Sequence, residues 1–510
     1  VLGGFVLDAA FPGLGVWPTA FVGVAMLVLA FGRDSARWNA LVGLVFGLAF
    51  FLPHIAWIEG AVGLVPWIAL SVAEAGFIAA LGAAWAWARR GEVIWQRARL
   101  QVPAFAVLWV GAEEARSVLP FGGFPWGRLA FSQVDSPLGR FAWAGGAPLV
   151  SGLVAVVGML LALALVRLRA VEVGGASAVS LGAVLLVGSG WLVPLDSGAQ
   201  SGRLEVAAVQ GDVPDRGLNS FDQAREVLDN HVAGTFALLD RGAPGELDLV
   251  LWPENGADFD PRTDQQTWDA ISGVATAVGA PLLLGTLEYP ATGGRYNLSM
   301  LWDPATGPVT TYAKQHPAPF AEYIPMREVA RLFSSAVDLV RTDMLPGTEV
   351  GLVPVPVERL GRTVGVADVI CFEVAYDDLV RDAVTAGGEV LVVQTNNATF
   401  GRTDESVQQL AMSRFRAMEL GRATVQVSTV GVSGIIAPNG ALVRSSELFT
   451  ADQLVASVPL RTSLTPAARF GDELSWALRG LAVVVVLAGM AGAVRVRRPD
   501  RQTPVAATRR

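Results

Sequence analysis

The chain has 510 residues, 52% of them hydrophobic and only 16% charged, with a formal net charge of −8. Soluble domains carry about 25% charge, so this composition excludes a disordered chain and argues against an ordinary water-soluble globule. The acidic balance, with no basic stripe in the charged half, also argues against nucleic acid as a partner.

A helix that crosses a bilayer needs about 20 mostly apolar residues. Such runs lie near 15–31, 39–58, 61–88, 101–118, 146–166, 177–195 and 474–494. Residues 1–11 are apolar but short and read as an incomplete first span. The expected layout is a transmembrane domain over 1–197, a water-soluble domain over 203–465, a transmembrane helix at 474–494 and a basic tail at 495–510. About seven spans fall in the first part, about eight in all.

Arginine placement sets the expected orientation. Arg33 and Arg37, the cluster Arg89, Arg90, Arg97 and Arg99, the pair Arg167 and Arg169, and the tail from Arg495 to Arg510 all fall on one side of an eight-span chain. That side is predicted to be cytoplasmic. The 203–465 domain and the 119–145 loop are then exoplasmic, on a multi-pass protein of the cytoplasmic membrane. Of Glu59, Glu74, Glu113, Glu114 and Arg116, most lie near predicted span ends, where they can pair with one another or reach headgroups.

From residue 203 the pattern changes to alternating strand and helix. Strands are expected at 204–213, at 247–254 ending in Glu254, in "PLLLGTLEY", "YNLSMLWDP" and "VTTYAKQH", at 363–373, at 389–396, and as a pair over 424–440 with a turn at Asn439-Gly440. Helices are expected at 220–241, 265–278, 376–387 and 405–421, and at 326–340 with an apolar face that could act as a membrane-contacting lid. Buried strands with helices outside point to a layered α/β sandwich.

Three residues in this half could do chemistry. Cys371, the single cysteine, closes an apolar strand; a thiol with pKa near 8.5 needs a base to act as a nucleophile. Glu254 follows Pro253, whose ring fixes the local backbone and suits an aimed carboxylate. Lys314 is the single lysine among 38 basic residues. Its compact ammonium, with freely rotating donors, is not replaced by a guanidinium at a tight site. One cysteine and three scattered histidines offer no metal-ligand spacing, and no metal or cofactor is expected.

Glu254 in "LWPEN", Lys314 in "YAKQHPAPFAEYIP" and Cys371 in "ICFE" occur in that order, roughly 60 residues apart. This set resembles the carbon–nitrogen hydrolase (nitrilase) superfamily, with its Glu-Lys-Cys set on an αββα sandwich. With spans on both sides, and with "GGFPWGRLAFSQVDSPLGR", "VQG" and "TNNATFG" also fitting, the whole chain resembles the apolipoprotein N-acyltransferase family, the membrane branch of that superfamily.

The resemblance implies a polytopic membrane domain plus a nitrilase-like αββα sandwich. It also implies transfer of an acyl chain from a phospholipid, through a Cys thioester, to the α-amino group of the diacylglyceryl-cysteine of an apolipoprotein. It assigns Cys371 as nucleophile, Glu254 as general base and Lys314 as oxyanion stabiliser, with Glu322 and Glu373 supporting them. Phe221, Phe372, Asn396 and Asn397 are the candidates for the substrate side, Phe221 only as the nearest aromatic to a tryptophan that the family carries after "VQG" and that has no match here. Phe372 stands where relatives often have tyrosine, and Thr399 where they have tryptophan. Expected partners are the phospholipid donor, the apolipoprotein acceptor and membrane lipids, with the chain a monomer. A polyprenol-phosphate mannosyltransferase, to which some actinobacterial relatives are fused, is a further candidate partner. The alternatives are a membrane-tethered amidase-like hydrolase with the same triad and a non-catalytic membrane scaffold.

Overall fold

The computed structural model of the protein describes residues 1–90, 94, 97–213, 224–240, 242 and 244–496. Phe221 and the tail from 497 onward lie outside the described residues.

The first half is helical. Helices run Leu2–Asp8, Thr19–Ala30, Ala36–His54, Trp57–Val62, Leu64–Arg89, Ala98–Arg116, Ala142–Arg169 and Val173–Ser189, and a last one, Pro466–Val496, returns to pack beside them. Among the described residues five segments are long and apolar enough to cross a membrane: Ala36–His54, Leu64–Arg89, Pro137–Arg169, Val173–Leu192 and Pro466–Gly492. The run predicted at 15–31 forms only the 12-residue helix Thr19–Ala30. The run predicted at 101–118 is a 19-residue helix that carries Arg99, Glu113, Glu114 and Arg116, which lower its hydropathy. The predicted 39–58 span stops at His54, just after Pro53 in its last turn.

The second half holds twelve described strands in two six-stranded sheets. They are β1 (Arg203–Gln210), β2 (Leu249–Leu251), β3 (Leu282–Glu288), β4 (Tyr296–Asp303), β5 (Gly307–Ala313), β6 (Leu352–Val357), β7 (Arg362–Ile370), β8 (Val390–Thr395), β9 (Thr424–Ser428), β10 (Gly434–Ile436), β11 (Leu442–Ser445) and β12 (Asp452–Pro459). One sheet has the order β12-β1-β2-β3-β4-β5 and the other β11-β10-β9-β8-β7-β6. Alternating strand residues point to opposite faces. Leu204, Val206, Leu251 and Leu283 of the first sheet thus meet Val364, Val366, Val392 and Val425 of the second in a core between the sheets.

Helices cover both outer faces. On the first sheet, Trp252, Leu284 and Trp302 pack under Ile271, Val274 and Val278 of helix Gln265–Val278. Asp264 caps that helix by accepting from the Thr267 N–H, and left-handed Gly279 ends it. On the second sheet, Val369, Leu391 and Val393 pack against Val380, Val384 and Phe415. That core runs on without a break into Phe105, Trp109 and Phe131 of the membrane half. This is the expected αββα sandwich, seated on its helical partner by one outer layer.

Three elements differ from the sequence reading. β2 is only Leu249–Leu251, because Pro253 has no N–H for the ladder. The expected 326–340 helix is broken into Arg327–Arg331 and a 3₁₀ turn Ser335–Leu339, with Leu332 and Phe333 between them exposed. β6, unforeseen because Pro354 and Pro356 interrupt it, is an edge strand with both prolines exposed and Val353, Val355 and Val357 turned inward.

Candidate active site

The truncation of β2 frees the chain after Leu251 to turn and deliver Glu254 beside the end of the strand. Gly285 on β3 makes room, since a Cβ there would stand 2.5 Å from the Pro253 carbonyl oxygen and 2.7 Å from the Glu254 Cα. Glu254 is buried. Its Oε1 accepts from Asn297 Nδ2 at 2.6 Å and from Lys314 Nζ at 3.2 Å, and its Oε2 accepts from the Asn396 backbone N–H at 2.9 Å. All three contacts hold the carboxylate in one orientation.

Lys314 directly follows β5 and is also buried. Its Nζ donates to Glu254 and, at 2.7 Å, to Glu322 Oε1, while Glu322 Oε2 accepts from the Ala318 N–H at 2.6 Å. Burial on its own would lower the ammonium pKa. Glu254, Glu322 and Cys371 outweigh it and raise the pKa well above its ordinary value. The lysine is therefore a fixed cation. Two of its three donors are committed, to Glu254 and Glu322.

Cys371 was expected to close its strand and precede a turn. β7 instead ends at Ile370, and Cys371 opens a 3₁₀ turn Cys371–Ala375 with φ 56°. A left-handed non-glycine residue is uncommon and strained, and such residues gather at active sites. Burial, with Glu254 adding to it and Lys314 opposing, pushes the thiol pKa far up, so the resting group is the neutral thiol.

Glu373 is fully buried and ties the two sheets together at this point. One oxygen accepts from Tyr312 Oη at 2.9 Å and from the Ile370 N–H at 2.8 Å; the other accepts from the Gln315 and His316 N–H groups at 2.6 and 3.2 Å. It thus joins the lysine loop to the cysteine turn. Burial raises its pKa, and these hydrogen bonds partly offset that.

Phe372 packs into an aromatic wall. It stacks on Trp126 at 5.4 Å with the planes 3° apart, and on Phe124 at 5.5 Å. Both partners belong to the 119–145 loop of the membrane half. Trp126 Nε1 and Trp57 Nε1 donate to Gln408 Oε1 of the sandwich at 2.6 and 3.3 Å. The loop named from sequence is therefore part of the site's wall.

Asn396 contributes its backbone N–H to Glu254, while its side-chain oxygen accepts from Thr429 Oγ1 at 2.9 Å and from the Ala398 N–H. Asn397 is buried, its amide spent on Glu405, Gln409 and Ser428. Sequence reading missed Asn297, Tyr312, Thr395 and Gln409. Asn297 and Tyr312 sit at inward positions of apolar strands, a signal that polar residues in a core have partners there.

Residues 3–160 match the family model for the apolipoprotein N-acyltransferase N-terminal domain, and residues 205–464 match that for carbon-nitrogen hydrolase. The chain is 37% identical over 522 residues to the apolipoprotein N-acyltransferase of Mycolicibacterium smegmatis, covering 96% of this chain and 83% of that one. It is 30% identical over 510 residues to that of Geobacter metallireducens, covering 96% and 94%. Among solved structures, an amidase from Nesterenkonia sp. aligns with 16% identity and a TM-score of 0.38, covering 56% of this chain and 99% of that one. The chain is a membrane-bound acyltransferase with a carbon–nitrogen hydrolase domain, and it belongs to the apolipoprotein N-acyltransferase family.

Proposed function

We propose that the protein takes an acyl chain from a membrane phospholipid onto Cys371 as a thioester and passes it to the α-amino group of a diacylglyceryl-cysteine apolipoprotein. The observation that carries this is the Glu254–Lys314–Glu322 cluster, at 3.2 and 2.7 Å, set beside a cysteine in a left-handed conformation. In the first half-reaction Glu254 takes the thiol proton and the sulfur attacks the ester carbonyl. Lys314 holds the oxyanion, and the lysolipid alkoxide leaves with a proton from Glu254. In the second, Glu254 takes a proton from the attacking amine, and the thiolate leaves as the amide forms. Glu322 positions Lys314, and Glu373 positions the turn bearing Cys371.

Phe372, with Trp126 and Phe124, supplies an apolar wall suited to an acyl chain. Both substrates are membrane-anchored, so the site works at a bilayer surface. The arginine distribution favours the exoplasmic face of the cytoplasmic membrane, with the C-terminus cytoplasmic, and nothing in the reaction requires more than a monomer.

The test is intact mass of the protein after incubation with phospholipid and no acceptor. A hydroxylamine-labile gain of one acyl chain, absent in Cys371→Ser and discharged by a diacylglyceryl-cysteine peptide onto its amine, is the expected result. Fatty acid release without peptide acylation would mark a hydrolase instead. A folded protein showing neither adduct nor release would overturn the assignment of Cys371.

A further inference from the structure

Beside Cys371 lie two fully buried polar side chains that the reaction as described does not use. Thr395, the last residue of β8, places Oγ1 at 3.2 Å from Cys371 Sγ. Gln409, on helix Glu405–Leu420, places Nε2 at 3.6 Å from the same sulfur. Thr395 Oγ1 is also 2.9 Å from Gln409 Oε1. One hydroxyl proton therefore faces two acceptors, the amide oxygen and the sulfur.

The direction of the Gln409 amide is fixed from a distance. The Gly431 backbone N–H donates to Ser428 Oγ at 2.8 Å, which leaves the serine proton to donate onward to Asn397 Oδ1 at 2.5 Å. Asn397 presents its NH₂, which donates to Gln409 Oε1 at 2.9 Å and to Glu405 Oε2 at 2.7 Å. With its oxygen engaged, Gln409 turns its own NH₂ to the sulfur. In this arrangement every donor along the chain meets an acceptor.

We propose that Thr395 and Gln409 form a thiolate-binding pair, aimed by the Gly431–Ser428–Asn397 chain, that stabilises Cys371 when its proton leaves for Glu254. With the neutral thiol, the Thr395 proton rests on Gln409 Oε1. When the proton moves from Sγ to Glu254, the hydroxyl swings to the sulfur, joins the Gln409 N–H there, and no further proton is needed. The charged groups around the sulfur are Glu254 and Glu405, which disfavour the thiolate, and Lys314, which favours it. Lys314 is committed to two glutamates and to the oxyanion, so donors reserved for the sulfur divide the work. The pair are catalytic residues in that they touch the reacting atom; Asn397 and Ser428 act through them. The inference rests on Cys371 as nucleophile.

Because Cys371 is the only cysteine, alkylation of the full-length protein in detergent by iodoacetamide, followed by intact mass across pH, reads its thiolate alone. Thr395→Val and Gln409→Leu are each expected to shift the rate profile up by about one pH unit, or roughly tenfold slower alkylation on the thiolate-limited limb. Thr395→Ser should return the profile to within about twofold. Ser428→Ala, which never touches the sulfur, should shift it in the same direction by less. Profiles of Thr395→Val and Gln409→Leu that overlay the unmodified protein would overturn the proposal, as would a Thr395→Ser profile no better than Val. If the valine and leucine variants do not fold, Ser428→Ala with an unmoved profile overturns it by itself. Alkylation requires no turnover. Failure of the acyl-enzyme assay therefore counts against the nucleophile assignment, and an unmoved profile counts against the pair alone.

Discussion

Arg128 and Asp377 are bonded at 2.7 Å across the junction of the membrane half and the sandwich. Arg128 also holds Glu114 at 2.7 Å, which in turn accepts from Arg479 of the last helix, while Asp377 accepts from Arg416. Burial alone would raise the Asp377 pKa, but Arg128 and Arg416 hold it well below the usual carboxylate range. Four helices and the loop bearing Arg128 thus share one largely buried chain of alternating charge. Removing one partner of a buried pair strands the others and typically costs about 3–5 kcal/mol. Arg128→Ala is expected to lower the melting temperature in detergent by several degrees, whereas the exposed pair is a control: Arg331→Ala, opposite Glu328 and Asp338, should change it little.

Lys314→Ala should slow acyl-enzyme formation by at least about a hundredfold, because an oxyanion donor is worth about 3–4 kcal/mol. Lys314→Arg should fail nearly as badly. Its planar fork is larger than the ammonium that fits between Glu254 and Glu322, and the free third donor is lost. Time-resolved intact mass distinguishes both from a binding defect. Near-normal rates in the arginine variant would show that charge alone suffices there.

Glu373→Gln replaces one acceptor oxygen with an NH₂ that would face N–H or O–H donors, since each oxygen already accepts two. The lysine loop and the cysteine turn should then separate. The expected outcome is about tenfold or greater loss of thioester formation with the sandwich still folded by circular dichroism. An unchanged rate would mean the two segments are held together by other contacts.

Asp368 lies on β7 on the same face as Val366 and Ile370, inside the core between the sheets, and burial pushes its carboxyl up to about 7. A folded pKa above the unfolded value of about 4 means the stabilising protonated form is complete below pH 4 and is lost as pH rises through about 7. Thermal stability should therefore fall over that window. Asp368→Asn should flatten this group's share of the fall and be more stable than the parent at pH 8. A parallel fall in both proteins would show that Asp368 is charged in the fold.

Much of this was legible in the residues. The strand-end positions of Glu254 and Cys371, and the lone lysine, stood out because each breaks a local pattern. The span count was less legible, since apolar length marks a helix whether it crosses a bilayer or, like Thr19–Ala30, packs as a shorter segment. β6 was hidden by its prolines, which an edge strand tolerates but sequence periodicity reads as a break. Thr395 and Gln409 gave no local signal, because their meaning lies in contact with a sulfur 24 and 38 positions away.

Glu254 and Lys314 come from one sheet, while Cys371 and the Asn396 N–H come from the other. Stacked sheets stand about 10 Å apart, a spacing set by the side chains between them. The inner faces thus act as a spacer whose thickness sets the gap between Glu254 and Cys371. A change of volume at Val366 or Leu283, remote from any lipid, would reset that gap, and chemistry would register the error before melting did.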